Sequence, residues 1–175
     1  MTDNHLWHHA AAMAAQWHEH KYRNDDKTPY FAHPARVAMI IAIRFGFTDE
    51  KILAAAYLHD VIEDADADYD DVHEHFGRDV ADYVAAMSKD TRLIEDDREW
   101  AYDEQLAAGP WQGRLIKLAD VYDNLSDART VPGKRKIIDR GERALRLAAV
   151  DEQLTDACRK LRDLMTRVQA EIPDS

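Results

Sequence analysis

Apolar positions recur at helical spacing along nearly the whole chain. Leu6, Ala10, Met13, Ala14 and Trp17 fall three and four residues apart, which predicts an amphipathic first helix over residues 4–22. Residues 22–27 are polar and charged and read as a loop. Pro29 holds Thr28 extended and Pro34 suits the first turn of a helix, so His33 is expected at a helix start. Residues 37–45 form a second apolar helix, ended by Gly46. Asp49 and Glu50 favour the N-terminus of a third, which carries the apolar run 52–58. A short acidic link, 65–68, leads to helices over 69–76 and 79–87, with Gly77 between them. Residues 88–97 read as a charged loop and 98–107 as a helix stopped by Ala108-Gly109-Pro110. The next helix spans 114–125. Pro132-Gly133 is expected to break the chain before two last helices near 134–149 and 151–170. Leu154, Cys158, Leu161, Met165 and Val168 form a stripe on the final helix, read as core packing or as a homodimer contact. No useful length alternates like a strand. The predicted fold class is all-α, a single helical domain over residues 1–175.

Chemistry enters at the end of the third apolar run, in Leu58-His59-Asp60-Val61-Ile62-Glu63-Asp64. Ionised carboxylates inside a core cost several kcal/mol unless they are paired or bind a metal. At helical spacing Glu63 lies four residues after His59 and Asp64 four after Asp60, so all four can face one cleft. A helix end emerging into water, with a satisfied histidine, is the plainer reading. Two further pieces weigh against it: His33-Pro34 opens one apolar helix, and Lys117-Leu118-Ala119-Asp120 sits in another. Two His and two Asp from three helices make an N/O ligand set for a divalent transition metal. Such a metal would activate water and polarise a phosphoryl oxygen.

His33, the adjacent His59-Asp60 and the distant Asp120, in the order H…HD…D, resemble the HD-domain metal phosphohydrolases. The words Thr28-Pro29-Tyr30-Phe31-Ala32-His33-Pro34, Leu58 to Asp64, Phe76-Gly77, and Ile116 to Asp120 with Asn124 are similar to the hydrolase domain of the RelA/SpoT group. In size the chain is similar to the free-standing alarmone hydrolases of the Mesh1 type, and the resemblance is strongest over residues 5–130. It implies an HD-type helical bundle that removes the 3′-pyrophosphate of guanosine 3′,5′-bis(diphosphate). It also implies one manganese ion on His33, His59, Asp60 and Asp120, with Glu63 and Asp64 orienting or activating the attacking water. Lys21, Arg23, Tyr30 and Asn124 would surround the nucleotide, and Lys89 and Arg92 would meet its phosphates. The chain departs from the family at Lys27, where Gly is usual, at Ala65, where Thr is common, and over 97–102, which lacks a basic run. Those changes bear on base specificity and phosphate affinity. An adenine alarmone, NADPH or a 5′-monophosphate therefore remains an alternative substrate, and a non-catalytic nucleotide-binding protein an alternative role.

Composition narrows the picture further. The net charge of −11 argues against non-specific nucleic-acid binding. It also means that a polyanionic nucleotide must be held by the metal and a few local cations. There is no apolar run of membrane length, and the start, Met1 to Leu6, is polar without a basic leader. The single Cys158 fits a reducing compartment, so a cytoplasmic protein is expected. His5, His8, His9, His18 and His20 cluster near the N-terminus and read as surface or packing residues.

Overall fold

The computed structural model describes residues 5–173, so the polar start at Met1 to Asn4 lies outside the described residues. The helices, in order, are α1 (Leu6–Trp17), α2 (Ala32–Met39), α3 (Glu50–Leu58), α4 (Val61–Asp64) and α5 (Tyr69–Phe76), then α6 (Arg78–Met87), α7 (Glu95–Ala108), α8 (Trp111–Asp127), α9 (Val131–Ala148) and α10 (Thr155–Ala170). A widened π-helical turn, Ile40–Phe45, prolongs α2, and a short 3-10 turn, Glu152–Leu154, leads into α10. Among the described residues no strand forms; the all-α expectation is met.

The bundle is organised around α8, which packs against α2, α6, α9 and α10, while α3 lies between α1, α2 and α6. Leu58, Leu115, Ile116, Leu118, Leu125, Leu154 and Leu161 are fully buried in one shared core. Each such side chain contributes roughly 1.5–3 kcal/mol of transfer free energy. The α10 stripe is part of this core: Leu154, Cys158, Leu161, Met165 and Val168 are buried within the chain. That surface is therefore already covered and offers no dimer contact. Gly141 of α9 allows an unusually close approach. A Cβ built there would lie 2.7 Å from Met165 Sδ on α10 and 3.3 Å from Val121 Cγ1 on α8.

Several helix limits differ from the periodicity. The first helix stops at Trp17, because His20 turns left-handed (φ 63°) and the chain then pairs Tyr22 with Pro29 in an isolated bridge. The second begins at Ala32, so His33 lies in its first turn, and Gly46 ends the following turn at φ 84° as expected of a glycine cap. The predicted third helix is interrupted: α3 ends at Leu58 and α4 begins at Val61. Asp60 at φ −103°, ψ −3° leaves the helical track, although its carbonyl still accepts from the Asp64 N–H at 2.8 Å. Helix α7 reaches back to Glu95, since Glu95, Asp96 and Asp97 in its first turn complement the helix dipole. Pro132 does not break the chain. It sits in the first turn of α9, where a missing N–H costs nothing, and Thr130 caps that turn by accepting from Gly133 N at 3.2 Å. Among the described residues no helix is long and apolar enough to cross a membrane.

Candidate metal centre and its cleft

Three elements bring the predicted ligands together. The first turn of α2 carries the buried His33 followed by Pro34, the α3–α4 turn presents His59 and Asp60, and the middle of α8 supplies Asp120. His33 Nε2 lies 3.6 Å from Asp60 Oδ2 and 3.3 Å from Asp120 Oδ1. His59 Nε2 lies 3.2 Å from Asp60 Oδ2. The ligand atoms of His33, His59 and Asp60 all fall within 4.8 Å of one another. Asp120 joins through His33 and is itself held on both oxygens, by Lys117 Nζ at 2.9 Å and Asn124 Nδ2 at 2.5 Å.

The donor set fits a cation. His59 Nδ1 bonds the Ala56 carbonyl at 2.8 Å, so in the neutral ring that a metal requires Nδ1 carries the proton and Nε2 the lone pair; without a metal, and against burial, Asp60 raises this ring's affinity for protons. That Nε2 is buried and has no hydrogen-bond partner among the described residues. A buried polar atom left unpaired is costly, and a metal bond would satisfy it. The electrostatics agree. Burial works against the charge on Asp60, yet His59 and His33 hold its carboxyl well below the usual range. Asp120 is held low too, against burial, by Lys117 and His33. His33 is pushed down by burial but raised more by its bonds to Asp120 and Asp123, to about 9. The cluster thus stabilises positive charge among these atoms.

Above them opens a cavity of about 230 Å³ whose lining is nearly all polar. Glu63 and Asp64 both line it. Glu63 Oε1 accepts the Lys89 backbone N–H, and burial raises this carboxyl above its ordinary range. The Tyr30 hydroxyl lies 2.8 Å from both Asp60 Oδ2 and Asp64 Oδ2. Arg23 donates to Asn124 Oδ1 at 2.9 Å. Lys89 Nζ pairs with Glu99 and sits 4.9 Å over the Tyr102 ring, while Lys117 Nζ sits 5.2 Å from the same ring. Arg23 and Asn124 also border a second cavity of about 350 Å³, whose lining includes Ala128, Gly133 and Ile137.

The sequence pattern of the HD domain family matches residues 10–140. The chain belongs to the HD domain family. Within that family it is 41% identical over 115 residues to the guanosine-3′,5′-bis(diphosphate) 3′-pyrophosphohydrolase MESH1 of Drosophila melanogaster, covering 65% of this chain and 64% of that protein. To the Xenopus tropicalis protein of the same name it is 37% identical over 121 residues, 69% of this chain and 68% of that one. The matched stretch thus spans about two thirds of these relatives' length. Among solved structures, a metazoan ortholog of SpoT that hydrolyzes ppGpp and plays a role in starvation responses superposes with a TM-score of 0.81. That match is at 29% identity and covers 93% of this chain and 94% of the other.

In this HD domain the expected residues do not all reach the cleft. His33, Asp60, Asp120, Glu63, Asp64, Arg23, Tyr30, Lys89 and Asn124 line it, and His59, which does not, lies beside Asp60 with Nε2 3.2 Å from Oδ2. Lys21 is exposed and does not line it. Arg92, with 87% of its side chain exposed, pairs with Asp90 at 2.7 Å and points into solvent. Their place is taken by Lys117, Tyr102 and Arg140. Lys117 was visible in the word that ends in Asp120. Arg140, on the far side of the bundle in sequence, carried no local signal, and it has no acidic partner among the described residues.

Proposed function

We propose that this HD domain hydrolyses guanosine 3′,5′-bis(diphosphate) at the 3′ side, giving GDP and pyrophosphate, with one manganese ion on His33, His59, Asp60 and Asp120. The observation that carries the reading is the buried Nε2 of His59, without a hydrogen bond among the described residues, in a His/Asp cluster whose His33, Asp60 and Asp120 line a polar cavity with Lys117 and Arg140. Support comes from the relatives named for that activity. When bound, the cation offsets phosphoryl charge and makes water a stronger nucleophile.

The side chains divide the remaining work. Glu63 Oε1 is occupied by the Lys89 N–H, which leaves Oε2 to take the proton of the attacking water. Its raised affinity for protons suits that task near neutral pH. Asp64, held by the Tyr30 hydroxyl, orients the water. Lys89, Lys117 and Arg140 meet the 3′-phosphates, and Arg23, Tyr30 and Asn124 hold the nucleoside side, where the second cavity gives the rest of the substrate room. Lys21 and Arg92 have no part in this assignment. The proposal takes residues 1–175 as one cytoplasmic hydrolase domain, since α9 supplies Arg140 and α10 packs on α8 and α9.

The test is purified, manganese-loaded protein assayed against the guanine alarmone, its adenine counterpart, NADPH and 5′-monophosphates, with chromatography of the products. Release of GDP and pyrophosphate, fastest from the guanine alarmone, is the expected result. Turnover of another member with the guanine alarmone inert would overturn the substrate and leave the metal chemistry standing. Tight binding without turnover of any would overturn both.

A further inference from the structure

His33 and His59 offer the same ring atom to the cluster, but what stands behind each ring differs. Behind His59 is the Ala56 carbonyl, a neutral acceptor on its own helix. Behind His33 is Asp123 Oδ2, a carboxylate of α8, at 2.7 Å from Nδ1. Asp123 is buried and does not line the cleft, so it touches neither substrate nor water there. Both its oxygens are also taken by Arg36: Nε to Oδ1 at 2.6 Å and Nη2 to Oδ2 at 2.9 Å. Arg36 sits on α2, three residues after His33. Ring, carboxylate and guanidinium thus close a loop from α2 to α8 and back. A fork-on-fork pair of this kind fixes orientation as well as charge. A carboxylate so deep in the bundle is costly unless it is paired, and Arg36 and the His33 ring supply that pairing.

We infer that Asp123, clamped by Arg36, is a positioning residue for the metal centre: it keeps the proton of His33 on Nδ1 and turns Nε2 toward Asp60 and Asp120. Partners of this kind behind a ligating histidine set ring orientation and ligand basicity, typically worth 10–100-fold in metal affinity. The inference rests on the metal reading above and adds an outer layer to it. It predicts an unequal pair of histidines. The ring backed by a carboxylate binds the cation more strongly, and the ring backed by a peptide carbonyl follows.

Two measurements on the full chain test it. The first is Mn²⁺ binding by calorimetry to metal-free wild type, Asp123→Asn and Arg36→Gln. Asp123→Asn should weaken binding about 10–100-fold, and Arg36→Gln by less. At saturating Mn²⁺ the KM of Asp123→Asn should stay at the wild-type value. Arg36→Lys, which keeps the charge but not the fork, should fall between wild type and Arg36→Gln. The second measurement needs no variant and so survives one that fails to fold. In wild type loaded with Zn²⁺ as a diamagnetic stand-in, ¹⁵N spectra should show His33 protonated at Nδ1. Unchanged Mn²⁺ affinity in Asp123→Asn, or a His33 proton on Nε2, overturns the inference alone. A wild-type protein that takes up no Mn²⁺ overturns the metal reading and this inference with it.

Discussion

On one side of the cleft, His33 and His59 keep 2% and 1% of their side-chain surface, Asp120 12% and Asp60 20%. On the other, Lys89 keeps 16%, and behind it, off the cleft, Glu99, Arg143 and Asp103 keep 22%, 29% and 33%. The first wall, from α2, the α3–α4 turn and α8, is held by buried bonds that each fix one orientation. The second, from the α6–α7 loop, α7 and α9, is a chain of shared ions: Glu99 takes both Lys89 and Arg143, and Arg143 also takes Asp103. These pairs are partly buried, so each is worth more than the about 0.2–1 kcal/mol of an exposed pair, but a phosphate that takes over Lys89 replaces one anion by another, and Glu99 keeps Arg143. A buried pair broken on the first wall leaves an uncompensated charge and costs several kcal/mol. The first wall is thus fixed bond by bond, whereas the second can exchange partners.

If that division holds, substitutions on the two walls should differ in kind. Asp60→Ala should abolish turnover and metal content together, measured by product release and elemental analysis. An active, metal-retaining Asp60→Ala protein would break the comparison. Glu63→Gln should keep its metal and slow the chemical step by about 10²-fold, read as kcat in single-turnover experiments. On the adaptable wall, Arg140→Ala or Lys89→Ala should raise KM about tenfold with little change in kcat, because charge-assisted phosphate contacts are worth about 1.5–3 kcal/mol. Glu99→Gln sharpens the contrast: releasing Lys89 should lower KM by a few-fold. Arg92→Ala, outside both walls, should leave KM unchanged and stability within about 0.5 kcal/mol, as judged by kinetics and thermal unfolding.

The helices themselves were legible because Gly46, Gly77 and Ala108-Gly109-Pro110 punctuate an otherwise continuous 3.6-residue pattern. The convergence of His33, His59, Asp60 and Asp120 was legible because each stands in a distinctive local word. The break at His59-Asp60 was not, since its neighbours Leu58 and Val61 are as apolar and helix-compatible as the run before them. Nor was the widened turn at Ile40–Phe45, which no residue type marks. Recognition of phosphate was the least legible, and for a definite reason. Lys21 follows from a loose match to the family and Arg92 from its segment, whereas cations reach a cleft through tertiary packing, and Lys117 and Arg140 line it because α8 and α9 pack together. The Arg36–Asp123 pair joins residues far apart in the chain, and only the fold puts them in contact.

The close passage at Gly141 separates two meanings of the word boundary. The family pattern ends at residue 140, one position before the glycine that lets α9 press against Val121 and Met165. Val121 is the neighbour of Asp120 on α8. A protein trimmed to the recognisable pattern would therefore keep every ligand and lose the flank that steadies one of them. The shared sequence pattern is shorter than the shared fold, which extends over 93% of this chain in the SpoT ortholog, and an engineer who transplants this cluster has to carry α10 along with it.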